Sequence, residues 1–371
     1  MTGRTRCSTL TEWFFCKNPS SHREARYFIL VIAMPTAFCR NFRALILGVE
    51  SSPDPYSGVG IACSLRSAFP SCELVAVDRS PQSSGLNWPD FDEYIVLPTR
   101  RHLARRCADL APCEYLLPCD DEEIYWLAAN LRNSKRLLMP NLRCLRQIRK
   151  PANEVARLLA AEAPRSLLVP TNQKRLERFL KKSDVPVWRK GRVTGAERVS
   201  HRRVLSGNEF ITANSRNYIK GELLQAHVEG SLEVLSFAAY RGHFLNALWM
   251  KKRGVTSRGK TWSGVVTGLS AEWRSRLESF VRRFSWHGGG AFEFIRDRET
   301  RLWLIDVNPR FPAWIHGATL CGTNLPAELL SAASGWQALV GTHKSKAFSR
   351  VIVEVAVRSE LEPHLRSQVV D

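Results

Sequence analysis

From residue 43 onward the chain alternates short apolar runs with stretches of helical periodicity. RALILGV (43–49) reads as a buried parallel strand, and SSPDPYSG (51–58) reads as a loop from its Pro, Ser and Gly content. VGIACSLRSAFP (59–70) has helical spacing and stops at Pro70, and CELVAVD (72–78) is a second strand ending in an acid. EYIVLP, EYLLPCDDEEIYWLAANL and KRLLMP carry the strand–helix alternation to about residue 140. That pattern predicts a Rossmann-like half domain. From Asn141 the texture changes. LRCLRQIRKPANEVARLLAAEA is helical and basic, with Pro151 starting a new helix. Residues 167–210 then hold a strand (LLVP), a helix (TNQKRLERFLKKS) and a strand (VPVWRKGRV). Residues 217–253 predict an edge strand, a turn and two further strands, leading into a Gly-rich loop at 254–266. The expected class is α/β followed by α+β.

Two strand-like runs, AFEFI (291–295) and LWLIDV (302–307), are joined by the polar linker RDRET. Alternation puts Phe292 and Phe294 on one face of the first run and Glu293 on the other. A hairpin would bring Glu293 close to Asp306. Asn308 and Arg310 follow Asp306 at alternate positions and can point the same way. Two carboxylates and an amide oxygen make a hard-oxygen site suited to Mg²⁺, and an arginine beside them can grip phosphate in a fork. Isolated strand-end charges are ordinarily solvated or salt-bridged. Four polar groups with matched spacing in an apolar hairpin fit a magnesium-chelated nucleoside triphosphate better, since a charge buried in a strand is costly without a partner.

Composition narrows the function classes. The 371 residues, 44% of them hydrophobic, suffice for two or three domains. No apolar run approaches the roughly 20 residues needed to span a bilayer, so no membrane role is expected. Residues 1–40 imitate a signal peptide poorly, because their apolar stretch, YFILVIAM (27–34), is short and sits late. They read either as a disordered leader or as an extension upstream of a start at Met34. The ten cysteines are scattered, with no CxxC pair and no accompanying His cluster. They therefore read as reduced thiols of a cytoplasmic protein rather than as a zinc site or a disulfide framework. The net charge is +19, and residues 132–203 concentrate it, with 20 Lys/Arg against 5 Asp/Glu. Such a segment suits ATP, a phosphorylated substrate or nucleic acid. No aromatic RNP strand, GXXG loop or zinc knuckle supports RNA binding. SGVGIAC followed by Asp78 imitates a dinucleotide fingerprint, but Cys63 stands where a third glycine is required.

GxFEF…LIDVNPR resembles the signature of the ATP-grasp superfamily, especially the branch of carbamoyl phosphate synthetase, biotin carboxylase and related carboxylate–amine ligases. The resemblance covers about Arg43 to Leu330. The family pattern has Glu on one strand and Glu-x-Asn-x-Arg on the next; here Asp306 stands where Glu is commoner, one methylene shorter. The resemblance implies a two-lobed ATP-grasp fold behind the Rossmann-like domain. The expected organisation is a leader over 1–42, a pre-ATP-grasp domain over 43–140, a small lobe over 141–215, a large lobe over 216–345 and a C-terminal extension over 346–371. It implies ATP and Mg²⁺ (or Mn²⁺) as cofactors, with Glu293, Asp306 and Asn308 holding the metal. Lys150 and Lys190 fall where the family places its two ATP lysines. Gly191 opens the segment corresponding to the phosphate-covering loop, where Arg192, Arg202 and Arg203 add charge. Backbone groups around Gln225, Ala226, His227 and Val228 would meet the adenine, with Gln225 standing where Glu is common. Glu233 matches a ribose-holding carboxylate or is a solvent-facing strand acid. Arg310 and Lys251 are the catalytic candidates. No general base is evident, and His287 and His316 receive no role.

The implied reaction is attack of a substrate carboxylate on the γ-phosphate of ATP, giving an acyl phosphate that an amine then displaces. The acid and amine, small molecules or peptides, are not readable from the sequence. Acceptor specificity is expected in the loops at Asp54, Tyr56 and Ser57 and at Asp120–Glu122, which lie at strand C-terminal ends, and in 254–266. Two alternatives stand beside this reading: a bicarbonate-activating carboxylase-type enzyme, and a basic nucleic-acid-binding protein on a degenerate ATP-grasp scaffold. The sequence leaves a homodimer open.

Overall fold

Three sheets carry the described part of the chain. The computed structural model describes residues 42–50, 57–131, 134–148, 153–168, 173–181, 187–190, 202–204, 223–256, 260–339 and 345–364. The expectations for the leader, Asp54, Tyr56, Lys150, Gly191 and Arg192 fall outside these residues.

The first sheet is parallel and contains β1 (Arg43–Leu47), β2 (Glu73–Asp78), β3 (Glu93–Val96) and β4 (Glu114–Pro118), in the order β3-β2-β1-β4. Its strands are unbroken apolar runs because both faces are covered. Ala44 and Ile46 join one core cluster and Leu45 and Leu47 the other. Helix α1 (Gly58–Ala68) connects β1 to β2, α2 (Arg100–Ala108) connects β3 to β4, and α3 (Asp121–Asn130) follows β4. Strand addition reverses between β1 and β4, which opens a crevice at their C-terminal ends. Asp78 does not face a nucleotide. Its carboxylate accepts from Val49 N (3.0 Å), Ser83 Oγ (3.0 Å), Arg79 N (2.7 Å) and Ser80 N (3.1 Å), pinning two loops together.

Short helices α4 (Leu142–Gln147) and α5 (Asn153–Leu158) lead to a small antiparallel sheet. It is built from β5 (Ser166–Leu168), β6 (Val187–Lys190), β7 (Arg202–Val204) and β8 (Leu223–Ala226), in the order β5-β8-β6-β7. Helix α6 (Gln173–Lys181) covers it, packing Leu176 and Leu180 with Leu167, Val187 and Leu224. Because β8 bonds to β5 and β6, the division between sheets falls after Ala226 rather than at residue 216.

The third sheet is antiparallel. Its strands are β9 (Ser231–Tyr240), β10 (His243–Val255), β11 (Thr261–Thr267), β12 (Gly288–Arg296), β13 (Leu302–Asn308) and β14 (Ala347–Ser349), in the order β13-β12-β9-β10-β11-β14. Helix α7 (Ala271–Phe284), to which the motif reading assigned no element, lies against one face. Ser270 caps it by accepting from Trp273 N. Phe237, Phe280, Phe292 and Trp286 interlock beneath it with ring centroids 4.9–6.0 Å apart. Helices α8 (Ile315–Leu320) and α9 (Leu325–Ser334) belong to the core cluster of the other face, together with α1. The run Gly288–Gly290 has a steric cause. Gly288 has φ +105°, and a Cβ there would meet Leu138 O at 2.4 Å; at Gly290 it would meet the Phe237 ring at 2.4 Å.

The two histidines beside the signature are structural. His316 Nδ1 lies 3.3 Å from Ser64 Oγ at the α1–α8 contact. His287 Nδ1 accepts from Arg241 N at 3.3 Å, and burial pushes this imidazole down to about 4. Between the ordinary histidine value near 6.5 and that value the unfolded chain binds a proton that the native chain does not. Stability contributed by neutral His287 is therefore present above about pH 6.5 and falls as pH drops through the window. His287→Gln keeps an acceptor for Arg241 and should flatten the difference in urea midpoint between pH 7 and pH 4. In the aromatic layer, Phe280→Ala is expected to cost about 3–5 kcal/mol, measured by equilibrium unfolding.

Candidate functional site

The β12–β13 hairpin has a break in its register. Glu293 pairs with Asp306, but Phe294 pairs with Leu304, so Ile305 is an extra residue on β13. Unbroken alternation would put Leu304 and Asp306 on the same face. The bulge removes that conflict. Leu304 packs with Phe294 in the core cluster under α7, while Asp306 shares the opposite face with Glu293, and Asn308 follows on that face beside Ala291. The three proposed metal ligands are thereby brought together. Asn308 Nδ2 sits 3.4 Å from Glu293 Oε1 as the amide is oriented here, and the reverse orientation would point its oxygen there instead.

Two lysines converge on these acids. Lys190, at the end of β6 and 5% exposed, donates to the carbonyl of Ile305 at 2.5 Å. The bulge supplies that carbonyl, so a single irregularity both turns Asp306 outward and anchors the small sheet's lysine. Lys252 Nζ lies 3.3 Å from Glu293 Oε2, with its side chain only 7% exposed. The Lys252 ammonium holds the Glu293 carboxyl below its usual range against the opposing effect of burial, and Lys190 adds to the depression while Asp306 works against it.

This pairing corrects the expectation for Lys251. In β10, Lys251 stands opposite Glu233, and Glu233 stands opposite Phe294, on the face that carries Trp249 and α7. Lys252 faces the other way, toward Glu293. Trp249 is half-buried among aromatic rings, and alternation along β10 sets Lys251 on its face and Lys252 on the face of the acids. Glu233 is likewise not solvent-facing. It is 5% exposed, accepts from Trp249 Nε1 at 2.5 Å, and is gripped by Arg296 Nε and Nη2 at 2.8 and 2.9 Å. That fork closes the base of the β9–β12 pair on the α7 side.

Arg310 is held by the parallel sheet. Its Nε lies 2.9 Å from Asp121 Oδ1, and Nη2 lies 3.4 Å from Oδ2, at the start of α3. Burial would lower the Arg310 pKa; Asp121, then Asp120 and Glu293, reverse this and raise it, so the guanidinium stays charged. Burial, with Asp120 and Asp306 nearby, pushes Asp121 up despite the arginine. Asp120 itself caps α3, accepting from Glu122 N and Glu123 N. The 120–122 loop thus reaches the site through Asp121. Ser57 Oγ, at the start of α1 in the same crevice, is fully buried.

The hinge residues form a neighbouring feature. In β8, Gln225 is 6% exposed and turns its amide to Ser166 Oγ at 3.4 Å. His227 Nδ1 accepts from Trp188 Nε1 at 2.9 Å. Ala226, His227 and Val228 line a cleft of about 570 Å³ with Pro164, Arg165 and Trp303. The hinge lines this cleft, and Lys190, Glu293, Asp306 and Asn308 are not among its lining residues. β6 joins them: Trp188 pairs with Gln225, and two residues on Lys190 reaches Ile305. Among the described residues, no three His, Cys, Asp or Glu side chains are grouped to hold a metal, and no helix is long and apolar enough to cross a membrane. The donor set is two carboxylates and an amide, which suits an ion that takes its remaining oxygens from phosphate and water. Replacing Lys252 with Met should move the Glu293 midpoint upward, followed by carboxyl-carbon NMR; an unmoved midpoint would remove Lys252 as its partner.

No family model and no curated protein matches the sequence. Solved structures do match. An N5-carboxyaminoimidazole synthetase from Staphylococcus aureus complexed with ADP shares 10% identity at TM-score 0.59, over 84% of this chain and 82% of that one. The biotin carboxylase domain dimer of a 2-oxoglutarate carboxylase from Hydrogenobacter thermophilus, in complex with MgADP, ADP and bicarbonate, shares 16% at TM-score 0.55, over 80% and 70%. A phosphoribosylglycinamide synthetase from Anaerococcus prevotii shares 14% at TM-score 0.54, over 80% and 77%. With the parallel sheet, the small sheet and the acid-bearing hairpin in this succession, the chain has the fold of the ATP-grasp enzymes.

Proposed function

We propose that this chain is an ATP-dependent carboxylate–amine ligase that binds MgATP between the small and large sheets. The observation that carries the reading is the convergence of Lys190, Lys252, Glu293 and Asp306 at the bulged hairpin. A protein that only needed a stable sheet would gain nothing from two buried ammonium groups beside two carboxylates, because each ion costs desolvation energy. A triphosphate with its magnesium gives all four groups a use: the lysines meet phosphate oxygens, and Glu293, Asp306 and Asn308 would hold the ion. Bound there, Mg²⁺ would offset charge on the transferring phosphoryl group.

The substrate acid attacks the γ-phosphorus through a carboxylate oxygen, the β–γ bridge breaks toward ADP, and an acyl phosphate results. The amine then forms the C–N bond, a proton leaves the nitrogen, and phosphate departs with the C–O electrons. Arg310 steadies the acyl phosphate. To do so it exchanges Asp121 for the incoming anion, and Asp121 keeps the guanidinium aimed until then. The acceptor would enter at the crevice beyond β1 and β4, the strand-order reversal where open α/β sheets bind ligands. The cytoplasm remains the expected setting.

Bicarbonate is the second reading for the acid. The biotin carboxylase domain from Hydrogenobacter thermophilus, which this chain resembles at TM-score 0.55, was solved with bicarbonate bound, and that supports this second reading.

An ADP-release screen with MgATP separates these readings, pairing amines with amino acids, short peptides or bicarbonate and identifying products by mass. Lys190→Met, Glu293→Gln and Asn308→Ala should each lower ADP release about 100-fold or more, whereas Lys251→Met should stay within about threefold of wild type. Unchanged ADP release in Glu293→Gln and Asn308→Ala would sink the ligase reading. Salt-dependent RNA or DNA binding without ATP turnover would favour the nucleic-acid alternative.

A further inference from the structure

Past β14 the chain runs as an extended strap back to the parallel sheet. At one end Arg350 N donates to Trp262 O at 2.9 Å. At the other, Arg358 donates from N to Asn87 Oδ1 (2.9 Å), from Nε to Leu86 O (3.2 Å) and from Nη2 to Phe91 O (2.8 Å), and lies over the Tyr94 ring. Between these anchors VIVEVAV (351–357) is bare. Val351 is 76% exposed and Ile352 87% exposed, and among the described residues no hydrogen bond satisfies the main chain of this stretch. A β-branched run with open backbone groups is a strand lacking its neighbour. It also continues β14, the outermost strand of its sheet.

Two charges on the strap indicate which neighbour it takes. Among the described residues the Arg350 guanidinium reaches only the Thr261 carbonyl, at 3.5 Å, and burial pushes its pKa down with no acid among them to oppose the effect. Glu354 is exposed and makes no ion pair among the described residues. Positions 350, 352 and 354 share one face of an extended strand, and the two charges stand roughly 13 Å apart, too far to meet. An antiparallel copy of the same segment centred on Ile352 solves both. Arg350 then lies opposite the partner's Glu354, Val351 opposite the partner's Val353, and Ile352 opposite the partner's Ile352. Centring on Glu354 would set that acid against the partner's Glu354. Centring on Ala356 would need Arg358, which is already bound to the parallel sheet.

We infer that residues 350–354 form the seam of a homodimer in which two copies of this chain pair antiparallel about Ile352. The seam is independent of the ligase reading.

Sedimentation velocity of the full chain across a concentration series tests it. The wild type should dimerise. Arg350→Glu alone and Glu354→Arg alone should each weaken the dimer at least about tenfold, and the double reversal should return it to within about threefold of wild type. Ile352→Lys should dissociate it, whereas Val357→Lys, outside the seam, should not. A monomer at every concentration, a dimer indifferent to Ile352→Lys, or a double reversal no tighter than the singles would overturn the inference.

Discussion

A carboxylate on a strand whose other face is packed with aromatic rings must be balanced by something close to it. Glu293 sits in that position, with Phe292 and Phe294 fully buried on either side of it in sequence. Its balance comes from three elements: Lys252 on β10, Lys190 on β6 and Asn308 on β13. The small and large sheets are thus drawn together at the point where the acids lie. The Ile305 bulge makes this compatible with a filled core. Without it, one of Leu304 and Asp306 would be misplaced, and Lys190 would lose the carbonyl that receives it.

The parallel sheet contributes differently. It does not bring a nucleotide fingerprint, since Asp78 is consumed by its own loops. It offers an acid, Asp121, at the start of α3, and through it holds Arg310 charged and aimed. The Ser64 hydroxyl and backbone tie α1 to the third sheet's helices through Thr319 and Asn324, so the crevice and the acids belong to one continuous core. Under the proposed reading, the group that steadies the activated acid and the surface that admits the acceptor are linked by a single ion pair.

The strongest features in the sequence were those with a periodicity to break. The acids in AFEFI and LWLIDV stood out because a polar residue at a fixed place in an apolar strand needs an explanation, and the register pairs Glu293 with Asp306 as expected. The strand runs of the parallel sheet were legible for the same reason. Helix α7 carries no motif, although its apolar spacing is regular, with Leu277, Phe280, Val281 and Phe284 buried. Glu233 was misread because an acid after a turn looks solvent-facing until Arg296, sixty-three positions away, is placed beside it.

The sequence by itself determined the elements, their order, and the pair of strands that bears the acids. These follow from local hydrophobic period and from the cost of burying charge, both properties of neighbouring residues. Only the tertiary structure decided which lysine serves the acids. Lys251 and Lys252 are chemically identical and adjacent, and the face each takes depends on Trp249 packing against Phe294 and Trp273. It alone revealed the Ile305 bulge, the Arg310–Asp121 pair and the bare strap beyond β14. Each depends on where distant strands and helices come to rest, and no period within a single segment records that.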